Sequence, residues 1–395
     1  MKSAAIIHDS KAVVPALWIG SALARIGKGL ILPACLLCLG LMGCNKTVAG
    51  YPASEEGFML SDLRLSPDGR TVVFQYRDTS ADKRPDLSWR RNCQGLGILE
   101  WETGKLTRIP NPPDKQLRDA SFSYDGKRLI AAMGNICSDP SKIVEVDPVT
   151  FQVRVLYENH EKIGVFWPVL QPGTDNILFV PFGWGSTFHH FSLFNPKDGS
   201  TKIILDKKDG FVSEVTRPFF ISQEEVIFQA RGPADRDFRK KVVELTGSTS
   251  AELISYRLRF GELPQFLFPK IEALRKNDVL SESENEFSRV VGSQDGKTII
   301  AIGFSATNKY NERKQFNYEL FEIRGGVPHQ LTNLRSHLAY PVISYDGSTV
   351  AFGSDPSRRY AWDLFILNLK TGTITPTGLL KRITGNPDFK LIPND

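Results

Sequence analysis

The apolar positions of this chain fall into short runs that return after the same polar turn. Leu65-Ser-Pro-Asp-Gly-Arg-Thr-Val-Val-Phe74 is the clearest copy. Phe122 to Ala131, Gly292 to Ala301 and Ile343 to Phe352 repeat it, each with Asp-Gly at the same place. Leu170 to Phe179 and Ile221 to Phe228 are degraded copies. Asp-Gly suits a tight hairpin, because glycine takes positive φ at no steric cost. The apolar run after it does not alternate with polar residues, which predicts a strand buried on both faces. A second strand pair follows each copy. Gly97 to Trp101, a Thr103-Gly104 turn and Leu106 to Ile109 form one such pair; Lys142 to Val146 and Phe151 to Val155 form another. Phe191 to Phe194 with Lys202 to Leu205, Tyr318 to Ile323 with its Gly325-Gly326 turn, and Trp362 to Leu367 with Thr371-Gly372 continue the series.

Each unit therefore reads as four antiparallel strands, and six units of roughly 50 to 70 residues fit along the chain. A unit of that size cannot bury both of its faces alone, so its neighbours must cover them. The expectation is an all-β fold, a six-bladed β-propeller of four-stranded blades. A β-sandwich does not repeat one turn at this period. Blade four breaks the rhythm: Gln223 to Gln294 spans 71 positions, against 51 from Gln294 to Tyr345. The excess, about residues 231 to 290, reads as an insertion with a helix-like Lys270 to Asn277 and an acidic Ser281 to Glu286.

The Ser-Pro-Asp-Gly turns, together with the stretch from Gly353 through Trp362 to Ile366, resemble TolB-type, WD-like propeller blades. The resemblance covers about residues 58 to 380, strongly in blades one, two, five and six and weakly in three and four. It implies a fold and leaves function open, since such blades serve in periplasmic scaffolds, in the gating propellers of prolyl oligopeptidases and in surface lipoproteins.

Ahead of the blades, Gly29 to Gly43 is apolar, follows Arg25 and Lys28, and is shorter than the ~20 residues that a spanning helix needs. It fits the apolar part of an export signal. Leu41-Met42-Gly43-Cys44 resembles a bacterial lipobox, which implies that residues 1–43 are removed and that Cys44 carries the lipid. Two acyl chains anchor stably where one does not. Residues 44–57 then form a linker and 58–395 the propeller. Asn45 after the cysteine implies, by the familiar sorting rule, the outer membrane facing the periplasm.

Removal of the leader changes the charge argument. Lys2, Lys11, Arg25 and Lys28 leave with Asp9, so the net +5 falls by three to +2. A nearly neutral protein offers no global attraction to nucleic acid. Of 5 cysteines, Cys93 and Cys137 remain as thiols in an oxidising compartment and are expected to pair. Both precede the third strand of their blade by about five residues.

Strand order places the Asp-Gly and Thr-Gly hairpins on one face and the connections between second and third strands on the other. Those connections hold Arg84, Trp89, Arg90 and Arg91 in blade one, Trp184 in blade three, and Arg239 and Lys240 in blade four. Blade five adds Tyr310 and Arg313, and blade six Arg358, Arg359 and Tyr360. Arginine and aromatic residues are the types enriched at interface hot spots, so this face reads as a docking surface for an acidic protein partner. Trp184 and Trp362 read equally well as blade wedges.

Signals for catalysis are thin. There is no Gly-x-Ser-x-Gly, no His-Glu-x-x-His and no Cys-x-x-Cys in the mature chain, and no phosphate-binding glycine loop. His329 and His337 read as isolated loop residues. Asp62, Asp119 and Glu214 fall near the starts of inner strands, where groups lining a central channel would sit. The sequence therefore favours a non-enzymatic binding propeller, a scaffold or an immunity-type inhibitor, that needs no metal or cofactor. The alternative is a lactonase- or glycosidase-like enzyme, or a small-ligand binder, working in the channel.

Overall fold

The computed structural model describes residues 58–78, 95–135, 138–159, 163–182, 190–205, 214–215, 217–231, 253–267, 288–304, 317–325, 327–355 and 362–384. They form six antiparallel sheets in a ring, each made of consecutive strands. Blade one is β1 (Phe58–Leu65), β2 (Thr71–Asp78), β3 (Gly95–Glu100) and β4 (Lys105–Ile109). Blade two is β5 (Lys115–Phe122), β6 (Leu129–Asn135), β7 (Lys142–Val146) and β8 (Val153–Glu158). Blade three is β9 (Gly164–Leu170), β10 (Ile177–Phe182), β11 (Phe191–Phe194) and β12 (Thr201–Leu205). In blade four the inner strand is split into β13 (Glu214–Val215) and β14 (Phe219–Ser222), followed by β15 (Glu225–Arg231), β16 (Leu253–Arg259) and β17 (Gln265–Phe266). Blade five is β18 (Ser288–Gly292), β19 (Ile299–Phe304), β20 (Tyr318–Arg324) and β21 (Val327–Gln330). Blade six is β22 (His337–Ile343), β23 (Thr349–Asp355), β24 (Asp363–Asn368) and β25 (Ile374–Pro376), with a short helix α1 (Leu379–Thr384) after it.

The uninterrupted apolar runs are explained by what each side of a strand meets. Side chains alternate across a strand, and in a propeller both sides face another blade. In β10, Ile177 and Phe179 pack toward blade two, while Leu178 and Val180 pack toward blade four. In β19, Ile300 and Ile302 face blade six and Ala301 faces blade four. The buried apolar residues accordingly divide into clusters that each straddle a blade boundary. Val73 and Ile98 meet Leu129 and Val144; Ile227 meets Phe321; Phe74 and Tyr76 meet Trp362 and Leu364 where the ring closes. Full burial of one such side chain contributes about 1.5–3 kcal/mol.

The repeated turn is a hydrogen-bond device. Ser66 Oγ donates to Asp68 Oδ1 (2.6 Å) and accepts from the N–H of Thr71 (2.9 Å), while Asp68 Oδ1 also accepts from the N–H of Arg70 (3.1 Å). Ser123 with Asp125, Ser293 with Asp295 and Ser344 with Asp346 reproduce it. The turns touch one another around the ring. A methyl on Gly69 (φ 71°) would lie 3.1 Å from Thr349, and one on Gly347 (φ 71°) 3.0 Å from Thr298. Arg128 reaches Asp175 (3.2 Å), and Gln171 Nε2 donates to the carbonyl of Gln223 (2.7 Å). All the hairpins therefore share one face, and the second strands end on the other.

Among the described residues no strand is exchanged between the first and last blades. Helix α1 closes the ring instead: Leu379 and Ile383 are buried in the cluster shared by blades one and six, and Arg382 Nη1 donates to the carbonyl of Gly104 (3.2 Å).

One sequence expectation needs correction and one open alternative closes. His329 and His337 are strand residues, in β21 and β22, rather than loop residues; His337 stacks on Tyr318 at 5.3 Å and lies 5.0 Å from Trp362. Of the two readings left open for Trp362, the wedge holds, for its ring is 5% exposed between blades six and one.

Candidate functional site at the propeller axis

The inner strands carry an irregularity that the repeat does not announce. In β1 the pairing with β2 slips between Ser61 and Arg64, in β5 between Arg118 and Ser121, in β18 between Ser288 and Val291, and in β22 between Ala339 and Val342. The same slip in β9 skips Trp167 and Pro168. Each slip is a β-bulge, and the first bulged residue has a left-handed backbone: Asp62 (φ 51°), Asp119 (φ 55°), Trp167 (φ 52°), Arg289 (φ 55°) and Tyr340 (φ 55°). Blade four makes its own interruption between β13 and β14, and Arg217 sits there. Residues other than glycine pay about 1–2 kcal/mol for this conformation. Bulges re-aim side chains, and these turn toward the axis.

The result is a channel lined by guanidiniums, carboxylates and aromatic rings. Asp62 forms an ion pair with Arg217 across the ring, their side chains 13% and 23% exposed. The Arg217 guanidinium also lies 5.9 Å from the Trp167 ring and 5.7 Å from the Tyr340 ring. Arg289 covers Tyr340 at 4.1 Å. Arg118 stands 3.9 Å from both Asp119 and Asp139 and 4.9 Å from the ring of Phe166. Those ion-pair distances are too long for hydrogen bonds, and Arg118 Nε and Asp119 Oδ2 are buried without a hydrogen-bond partner. The backbone N–H of Asp119 is satisfied by Gln75 Oε1 at 2.9 Å.

Toward the hairpin face the channel narrows to a cavity of about 70 Å³ to which every blade contributes, through Arg64, Ser121, Val169, Phe219, Gln294 and Val342 among others. Arg64 lies over the Phe219 ring at 4.3 Å, and its Nη1 is buried with no hydrogen-bond partner. Tyr345 and Tyr124 stack at 5.5 Å over this end, and Tyr345 donates to the carbonyl of Phe122 (3.3 Å). Burial pulls the guanidiniums of Arg64 and Arg217 down to about 10, opposed for Arg64 by Asp119 and reinforced for Arg217 by Arg289, so both are charged at neutral pH. Burial pushes the Asp119 carboxyl up, against the pull of Arg118, and it pushes the Tyr345 phenol up to about 12.

Of the acids expected in the channel, Asp62 and Asp119 are there, each beside an arginine; Glu214 pairs with Arg231 through the backbone in blade four. The arginines themselves were not anticipated. A countable signal existed: the bulged residue stands four positions before the turn residue in Asp62/Ser66, Asp119/Ser123, Trp167/Gln171, Arg289/Ser293 and Tyr340/Ser344. The expected docking residues Arg84, Trp89, Arg90, Arg91, Trp184, Arg239, Lys240, Tyr310, Arg313, Arg358, Arg359 and Tyr360 lie outside the described residues, as do Cys44, Cys93 and Cys137. Among the described residues no three His, Cys, Asp or Glu stand close enough to hold a metal ion, and no helix is long and apolar enough to cross a membrane.

Fold and axis together define a six-bladed β-propeller with a charged, aromatic-lined channel. No protein-family model and no curated protein matches the chain. Among solved structures it is similar to an oligogalacturonate lyase in complex with manganese, with 14% identity over 81% of this chain and 78% of that one, at a TM-score of 0.48. It is similar to TolB from Acinetobacter baumannii, with 15% identity over 83% of this chain and 65% of TolB, at a TM-score of 0.48. It is also similar to the β-propeller domain of the Trilobed protease from Pyrococcus furiosus, with 11% identity over 80% and 83% of the two chains, at a TM-score of 0.46. At such identities and TM-scores the likeness leaves activity open.

Proposed function

We propose that the protein is a lipid-anchored, non-enzymatic propeller of the bacterial envelope that docks an acidic protein partner. The observation that carries this reading is the strand order. β2, β10, β15, β19 and β23 all end on the face opposite the hairpins, and the segments that follow them contain the arginine and aromatic residues named above. That these residues stand in the connections from second to third strands supports reading them as one surface. Aromatic and arginine side chains dominate the energetics of docked surfaces, and clustered positive charge accelerates encounter with an acidic partner. Such a protein would serve as an assembly scaffold or as an inhibitor that caps a periplasmic toxic enzyme.

The test is crosslinking in native membranes with Cys44 intact, comparing the wild-type chain with a variant carrying Arg90→Glu, Arg91→Glu, Arg358→Glu and Arg359→Glu. A stoichiometric crosslinked protein that disappears in the variant is the expected result. Unchanged crosslinking in the variant sinks the docking face. A second reading, a small-ligand binder or an enzyme of lactonase or glycosidase type, draws on Asp62 and Asp119 in the channel. Their pairing with Arg217 and Arg118 favours binding over acid–base chemistry.

A further inference from the structure

We propose that the propeller axis is a binding site for a small, doubly charged oxyanion, a polycarboxylate or a phosphoryl group, gripped by Arg289 and Arg217 beside Tyr340 with Arg64 beneath. The site is independent of the partner face, and it rests on an imbalance of charge. Four arginines reach the channel. Arg217 is matched by Asp62, and Arg118 by Asp119 and Asp139. Arg289 and Arg64 form no ion pair among the described residues, and the four guanidiniums face only three carboxylates, so the axis carries an excess of positive charge.

Arg64 is placed where an unmet donor is costly, and Arg289, though exposed, stands beside a like charge. Arg64 presents a buried Nη1 with no hydrogen-bond partner, beside a cavity of about 70 Å³ whose lining holds no carboxylate. A buried charged donor left unsatisfied forfeits its hydration without return. Arg289 shares the Tyr340 ring with Arg217, at 4.1 and 5.7 Å, and the two like charges repel. An anion between them would relieve that repulsion. Guanidinium offers parallel N–H pairs that match the two oxygens of a carboxylate or phosphate.

The backbone points the same way. Arg289 and Tyr340 both occupy bulge positions at φ 55°, where glycine would be cheaper. Strained backbone bearing a charged and an aromatic side chain in a cleft is the pattern that functional sites retain. Trp167 and Tyr340 supply flat walls, and Arg289 is exposed, so the site opens to solvent on the side away from the Tyr124–Tyr345 stack.

The experiment is isothermal titration of the full chain with sodium citrate and, separately, with inorganic phosphate, each at constant ionic strength against chloride. Saturable binding of citrate or phosphate, absent with chloride, is expected, and the two arms tell carboxylate from phosphoryl recognition. Arg289→Gln should weaken that binding by about tenfold or more, the loss of one charge-assisted contact. Asp62→Asn should tighten it, because the competing carboxylate of Arg217 is gone. Circular dichroism and melting of each variant report folding, and Arg289→Gln breaks no ion pair that would compromise it. No saturable binding, equal binding of chloride, or unchanged affinity in Arg289→Gln with a weaker Asp62→Asn overturns the site.

Discussion

The hairpin face and the axis are built from the same inner strands, a few residues apart, and they follow opposite rules. At the hairpin end, blades one, two, five and six use the same serine, the same aspartate and the same glycine with the same hydrogen bonds. Four residues earlier the blades share only a backbone shape, and the side chains are Asp62, Asp119, Trp167, Arg289 and Tyr340. The repeated part solves a problem every blade has, which is turning the chain tightly and meeting the next turn. The unrepeated part solves none that the fold poses, because the bulge would cost less with glycine. Repetition along this chain marks what folding requires, and variety at a conserved geometry marks what the molecule does with the fold.

Substitutions at the two ends should separate these roles. Gly69→Ala should have the largest effect, about 2–3 kcal/mol, because it adds left-handed strain and a methyl 3.1 Å from Thr349. Gly173→Ala, with a similar φ of 72° and open space around it, should cost only about 1 kcal/mol. Urea denaturation of both variants measures the difference, and equal losses would mean that the turns do not support one another. Next, Ser123→Ala should lose about 1–2 kcal/mol, for it removes the acceptor of the Arg128 N–H and the donor to Asp125. A smaller, pH-dependent effect should accompany these turns. Serine and backbone donors hold the carboxyls of Asp125 and Asp295 below the ordinary range, Asp295 at about 2. A depressed carboxylate stabilises the fold above its unfolded pKa of about 4 and stops doing so as pH falls through its folded value. Melting temperature should therefore fall between about pH 4 and pH 2, less steeply in Asp295→Asn. The smallest stability change should come from the axis, where Arg289→Gln should alter unfolding by no more than about 0.5 kcal/mol. A large loss there would turn the axis into a structural element and erase the contrast.

Much of the hairpin face was legible in the sequence, and little of the axis. Asp-Gly after a serine announces a turn by chemistry that is local, so Leu65 to Phe74 could be placed without its neighbours. The unbroken run Val72 to Phe74 could be recognised as buried on both faces because it lacks alternation. The channel arginines gave no such signal. Arg64 and Arg118 lie in inner strands where a bulge shifts the alternation by which inward and outward residues are counted, and Arg217 sits in the gap between β13 and β14. Asp62 and Asp119 were expected near strand starts; each instead stands at the bulge in the middle of its strand, and their neutralising partners come from another blade or from the preceding residue. His337 was misread for a related reason: the short stretch Leu334 to Leu338 lacks any strand pattern of its own, and β22 begins there through pairing with β23.

Helix α1 has a consequence in time. The bond from Arg382 to Gly104 joins residues 278 positions apart, and the apolar contacts of Leu379 and Ile383 cover the same blade. A chain that emerges from its N-terminus makes the first blade early but finishes it almost last. Until α1 arrives, that blade has an open flank and the circle has a free edge. The seam is therefore the place where assembly ends, and the same seam is where thermal fraying should begin.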